Sequence, residues 1–159
     1  IIDFDAHCGG GTSRFLSNWD MTQIKILDLS TQAFDEYPPR AGDRLVLARP
    51  RNYPSPQAGY MGHVEDMLKD VQAQQYGLVL YNAGVDPYPE IEFDTLGERD
   101  RMVFKRVREW ELPCVWMLAG GYSPPFTKSL LTFAHYNTYR ASMQRDLVSR
   151  SQVVLFAKN

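Results

Sequence analysis

The sequence predicts an α/β fold with an open, mainly parallel sheet and helices on both faces, and three observations carry that expectation. Short apolar runs rich in Val, Ile and Leu recur at 24–29, 45–48, 77–81 and 114–118, bounded by Gly, Pro or Asp, which is how buried strands read. Between the later runs lie stretches of helical period, with Val64, Met67, Leu68 and Val71 on one face and Met102, Val103, Val107 and Trp110 on another. The resulting order of strand, helix, strand, helix, strand is that of parallel crossover units, whose strands are covered on both sides and so lose their polar alternation.

Each element follows in order. The chain opens directly on Ile1-Ile2-Asp3-Phe4-Asp5, with no methionine and no polar lead-in, as if within a core strand. A fragment is therefore expected, with residues 1–159 forming the C-terminal part of one domain. Gly9-Gly10-Gly11 follows and could lead into a short helix. Residues 49–57, with three prolines, read as a surface loop, since apolar structure resumes on either side. Beyond the run at 114–118, Ser123-Pro124-Pro125 breaks the chain and can start a helix expected to reach about residue 147. The tail at 153–156 fits strand or helix, and no internal repeat or low-complexity tract is present.

Composition narrows the function classes. The 159 residues are 44% hydrophobic and 13% aromatic, enough for a sizeable core. A balance of 17 basic against 19 acidic residues, net charge -2, gives no electrostatic footprint for nucleic acid or an anionic membrane. No run approaches the roughly 18 apolar residues of a membrane span, and no basic-then-apolar leader is visible, so the expected compartment is the cytoplasm. Cys8 and Cys114 are too few for a disulfide framework and are expected to be reduced thiols.

In an open parallel sheet, ligands bind beyond the carboxyl ends of the strands, so polar residues there come first. Alternation along the opening strand puts Asp3, Asp5 and His7 on one side. The run at 77–81 leads into Asn82-Ala83-Gly84-Val85-Asp86, and the run at 114–118 into Ala119-Gly120-Gly121-Tyr122, a small-residue turn able to aim a phenol into the same crevice. Two carboxylates and an imidazole would make a three-ligand site, the pattern of catalytic rather than structural zinc. Each piece alone has a plainer reading: an Asp after a strand is commonly a cap or turn former, Gly-Gly-Tyr a simple turn, and His7 a hydrogen-bonded strand-end histidine.

Taken in order, the pieces resemble the histone deacetylase and acetylpolyamine amidohydrolase superfamily. The motifs are Asp3-Phe4-Asp5-Ala6-His7-Cys8-Gly9-Gly10-Gly11-Thr12, Ala83-Gly84-Val85-Asp86-Pro87, Asp94-Thr95-Leu96-Gly97 and Leu118-Ala119-Gly120-Gly121-Tyr122. The run Asp86-Pro87-Tyr88 is more similar to bacterial and class IV-like members. The resemblance implies an arginase/deacetylase-like sheet, zinc held by Asp5, His7 and Asp86, and Tyr122 donating to the substrate carbonyl and its oxyanion. It also implies that Asp3 orients a catalytic histidine and helps bind an alkali ion, K+ or Na+. The implied reaction is hydrolysis of an acyl amide, N-acetyl-lysine, acetylpolyamine or similar, on a peptide or small-molecule substrate.

Departures matter as much. The family places a second His where this chain has Cys8 and an acid or Asn where it has Gly10. Its His-His general base and acid precede the Asp-x-Asp-x-His motif. His63 and His135 fall in expected helices and read as ordinary helix residues far from the strand ends, so the isolated chain is expected to be nearly inactive. The rival is a non-catalytic member that keeps the fold and binds acylated ligands or a partner. A phosphate cradle at Gly9-Gly10-Gly11 is disfavoured, because Arg14 stands where the dinucleotide pattern needs glycine.

Overall fold

The computed structural model describes residues 1–49, 52–69, 71–122 and 128–156. Its core is a five-stranded sheet in which every pairing is parallel, in the order β3-β2-β1-β4-β5. The strands are β1 (Ile2–Asp3), β2 (Leu27–Ser30), β3 (Arg44–Leu47), β4 (Val79–Gly84) and β5 (Cys114–Ala119). Helix α1 (Gly10–Asn18) links β1 to β2, α2 (Pro56–Lys69) links β3 to β4, and α3 (Phe93–Glu109) links β4 to β5. Helices α4 (Lys128–Ser142) and α5 (Arg150–Phe156) complete the described chain, so the ambiguous tail is helical.

The strand order has a switch point. From β1 the chain runs outward to β2 and β3, then returns to place β4 on the other side of β1 and continues to β5. Right-handed crossovers then require α1 on the opposite face from α2 and α3. In keeping with this, α2 packs on α3, and α3 on α4.

The two faces are unequally covered. Under α2 and α3, Phe4, Tyr81, Phe104 and Trp116 form a chain of edge-to-face rings with centroids 5.6 to 6.2 Å apart, and Val64, Met67, Leu68 and Val103 close around it. Each such ring pair adds about 0.5–1.5 kcal/mol beyond its area. On the other face of β5, Val115 and Met117 remain 53% and 51% exposed. No helix among the described residues is long and apolar enough to cross a membrane.

Several boundaries differ from those expected. Residues 24–26 are not strand, because side chains take over their backbone groups: Asp43 accepts from Ile26 N–H and Arg40 donates to the Ile24 carbonyl. Strand β4 runs on through Asn82-Ala83-Gly84, since Gly84 still pairs with Ala119. Helix α4 stops at Ser142 rather than near 147: Gln144 adopts a left-handed conformation (φ 56°), and the Asn137 side chain captures both N–H and C=O of Val148, holding the returning chain. Ser123, Pro124 and Pro125, expected to start this helix, lie outside the described residues.

Candidate metal centre

The crevice beyond the carboxyl ends of β1 and β4 is the switch point, where ligands of open parallel sheets bind. The sheet brings together there three of the residues singled out from the sequence. One ligating atom from each of Asp5, His7 and Asp86 can be chosen so that all lie within 4.8 Å of one another. His7 Nδ1 is 3.4 Å from Asp5 Oδ1 and 3.2 Å from Asp86 Oδ2.

Backbone donors fix the carboxylates. His7 N–H donates to Asp5 Oδ1 at 2.8 Å, and Ala6 N–H donates to Asp86 Oδ1 at 3.2 Å. Asp86 Oδ2 is buried and has no hydrogen bond. Burial pushes the Asp5 carboxyl above its ordinary range, and the neighbouring Asp86 carboxylate adds to that. A half-buried acidic pair with one buried, unsatisfied oxygen is a poor arrangement in itself and a good one around a cation.

Glycines make the close approach possible. A Cβ at Gly84 would lie 2.7 Å from Asp5 Cα. Gly120 has φ 68° and its Cβ would lie 2.6 Å from Asp86 Cγ, so the turn before Tyr122 rests directly on a member of the trio.

Tyr122 follows that turn at the end of β5, with its ring 67% exposed. Among the described residues no hydrogen bond joins its hydroxyl to the trio. Phe34 rims the other side: its ring meets His7 edge-on at 5.7 Å and is 74% exposed, while its carbonyl accepts from Cys8 N–H. Cys8 itself is buried against the Gln32 carbonyl, and burial raises its thiol pKa.

Asp3 lies behind the trio, almost wholly buried, accepting a 2.7 Å hydrogen bond from Asn82 Nδ2. Burial pushes its carboxyl up to about 7 despite that bond, and the Asp28, Asp5 and Asp86 charges add to the rise. Asp28, on the neighbouring strand, is tied by Ser30 Oγ at 2.5 Å and Gly9 N–H at 2.7 Å, and Ser30 Oγ also reaches the His7 carbonyl.

Two contributors carry no signal in the sequence pattern. Asn82 stands in the run after the strand, yet its side chain holds Asp3. His135, expected far from the strand ends, lies beside the Gly120–Gly121 turn with its Nδ1 buried and without a hydrogen bond, and burial lowers its pKa. His63 is bonded to Tyr53 Oη at 2.6 Å, an ordinary helix contact.

"Histone deacetylase 2" of Arabidopsis thaliana is 31% identical over 133 residues, covering 77% of this chain and 33% of that protein. The chain thus spans about a third of the length of that relative. No protein-family model matches. The similarity supports a histone deacetylase-like relationship, and the parallel α/β sheet is consistent with it.

Proposed function

We propose that this chain holds the metal centre of a zinc-dependent hydrolase of acyl amides. The observation that carries the reading is the trio Asp5, His7 and Asp86, gathered from two strands at the switch point, with Asp86 Oδ2 buried and lacking a hydrogen bond. One imidazole and two carboxylates form a three-ligand nitrogen-and-oxygen set that suits zinc and leaves a coordination position for water or substrate. Zinc bound there would supply Lewis acidity toward the amide carbonyl and a water whose pKa falls toward about 7.

The chain's own residues do the rest. The Ala6 and His7 amides hold the carboxylates in place. Tyr122 donates its phenolic hydrogen to the substrate oxygen as that oxygen gains charge, a contact completed when substrate covers the exposed ring. The Gly120–Gly121 turn sets its approach. Asp3, assigned to a K+ or Na+ ion, is a carboxylate whose burial a monovalent cation would relieve. The proposed substrate is N-acetyl-lysine, an acetylpolyamine or a similar acyl amide, and the proposed subtype is bacterial or class IV-like.

General-base catalysis sets a limit. Among the described residues, His7 is the one imidazole in the trio, with His63 bonded to Tyr53 and His135 set beside the Gly120–Gly121 turn. This chain by itself should therefore lack a factor of about 10²–10⁴ in rate. The same observation favours a second reading, a deacetylase-like protein that binds acylated ligands without hydrolysing them.

Elemental analysis of the purified chain and of Asp86→Ala tests the centre. One zinc per wild-type chain, lost in the variant, is the expected result. A folded wild-type chain that takes up no zinc would sink the hydrolase reading.

A further inference from the structure

The backbone ladder between β1 and β4 ends at the switch point, and the carbonyls beyond it need other donors. Among the described residues, the last backbone hydrogen bond between the β1 and β4 segments runs from Phe4 N–H to the Asn82 carbonyl. Beyond it the two segments stay close, Gly84 against Asp5, with no further backbone hydrogen bond between them among the described residues. Buried carbonyls past that point need donors. The Phe4 and Gly84 carbonyls find the same one: Arg99 Nη1, on α3, donates to Phe4 O at 2.8 Å and to Gly84 O at 2.7 Å.

These carbonyls flank the trio. Phe4 immediately precedes Asp5, and Gly84 both precedes Asp86 by two positions and lies against Asp5. The guanidinium that grips them is itself fixed. Its Nε donates to Asp100 Oδ1 at 2.8 Å, while the Asp100 carboxylate accepts from Tyr81 Oη at 2.5 Å and Thr138 Oγ1 at 2.6 Å. Arg99 is 0% exposed and Asp100 1%.

Stability alone does not account for such a pair. Removing two charges from water offsets much of their attraction, and well-packed apolar residues commonly serve a core as well or better. What an apolar residue cannot do is hold two carbonyls and a carboxylate at set distances, which a planar group with five donors can.

We propose that Arg99 is a positioning residue for the metal centre, fixing the separation of Asp5 and Asp86 by gripping the backbone carbonyls of both segments. This rests on reading the trio as a zinc site.

The test measures metal binding rather than turnover. Zinc affinity is read by competition with a chromophoric chelator, and ligand geometry by the visible spectrum of the Co2+-loaded chain, at a temperature where each variant keeps the wild-type near-UV circular dichroism. Arg99→Lys, which keeps the charge but loses the rigid fork that holds Nη1 on both carbonyls while Nε and Nη2 face Asp100, should weaken zinc binding about 10–100-fold, the range for residues that orient metal ligands, and alter the Co2+ spectrum. Thr138→Val loosens the same network without touching either carbonyl, so it should lower Tm and leave affinity unchanged.

A folded Arg99→Lys chain with wild-type affinity and spectrum overturns the proposal. Should Arg99→Lys not fold, Asp100→Asn carries the test, because it frees the guanidinium while leaving it in place; unchanged affinity there overturns the proposal equally. Asp86→Ala separates the two ideas. Zinc retained in Asp86→Ala removes the metal reading and this inference with it, whereas zinc lost there but held normally by Arg99→Lys removes this inference alone.

Discussion

Replacing Gly120 by alanine should damage the proposed metal centre while leaving every proposed ligand in the sequence. At φ 68° the alanine would sit in the left-handed region, which costs an L-residue about 1–2 kcal/mol. The new methyl would also lie 2.6 Å from Asp86 Cγ and Oδ1 and 2.9 Å from Asp86 Cβ. Carbon contacts settle near about 3.5–4.0 Å, so Asp86 or the turn must yield by about 1 Å. Zinc–ligand bonds of about 2.0–2.2 Å do not absorb a shift of that size. Zinc affinity should fall at least about 10-fold, with a loss of about 1–3 kcal/mol in stability. Chelator competition and thermal melts on the same preparation read both numbers. Gly62→Ala is the control: it lies within α2 with nothing inside 4 Å of the added Cβ, so it should stabilise by about 0.5–1 kcal/mol and leave zinc alone. Gly120→Ala binding zinc as tightly as wild type would refute the claim that this turn sets the position of Asp86.

Other expectations follow from burial and charge. Asp3 titrates near 7 in the metal-free fold against an ordinary 3.8, so between those values the unfolded chain has lost a proton that the folded chain keeps, and stability falls as pH rises through that window. Asp3→Asn should flatten the decline in thermal melts with a chelator present, though not abolish it, since burial raises Asp5 and Asp28 as well; a slope as steep as wild type contradicts the assignment. His135 runs the other way: burial lowers its pKa below 6.5, so its contribution is present above that value and is lost as pH falls, and His135→Gln should remove that acid-side loss from the melting curve. Val115→Thr with Met117→Gln changes residues that are 53% and 51% exposed; stability should move by only about 0.5 kcal/mol while light scattering shows less self-association.

The fold was legible where one physical signal dominated. Apolar runs bounded by turn formers located the strands, because a strand covered on both faces has no other composition open to it. Asp5, His7 and Asp86 were legible for a related reason: alternation and strand-end position bring them to one crevice before any side chain is placed. Boundaries were less legible where tertiary partners decided them. Ile24 and Ile26 look like strand, yet their backbone groups belong to Arg40 and Asp43, which no local pattern reveals. The Arg99–Asp100 pair was hidden by its neighbours, since Glu98-Arg99-Asp100-Arg101 reads as a solvated helix face. A signal did exist. Asp100 falls in the stripe Leu96, Val103, Val107, at the helical spacing reserved for buried positions, and a carboxylate there demands a partner.

The bond from Ala6 to Asp86 spans 80 residues of chain. Strand β4, helix α3 and strand β5 meet over a short stretch of sequence and can assemble early, whereas β1 docks against β4 only after a long loop has closed. The metal centre should then be among the last features to appear as the chain folds. An ion entering there meets a nearly finished molecule, and by holding residues 5, 7 and 86 together it bridges the same long loop that folding had to close. Metal supply would thereby act as a lock on completed folding: in the apo chain the central seam reopens first, and amide exchange along β1 and the end of β4 should slow once zinc is added.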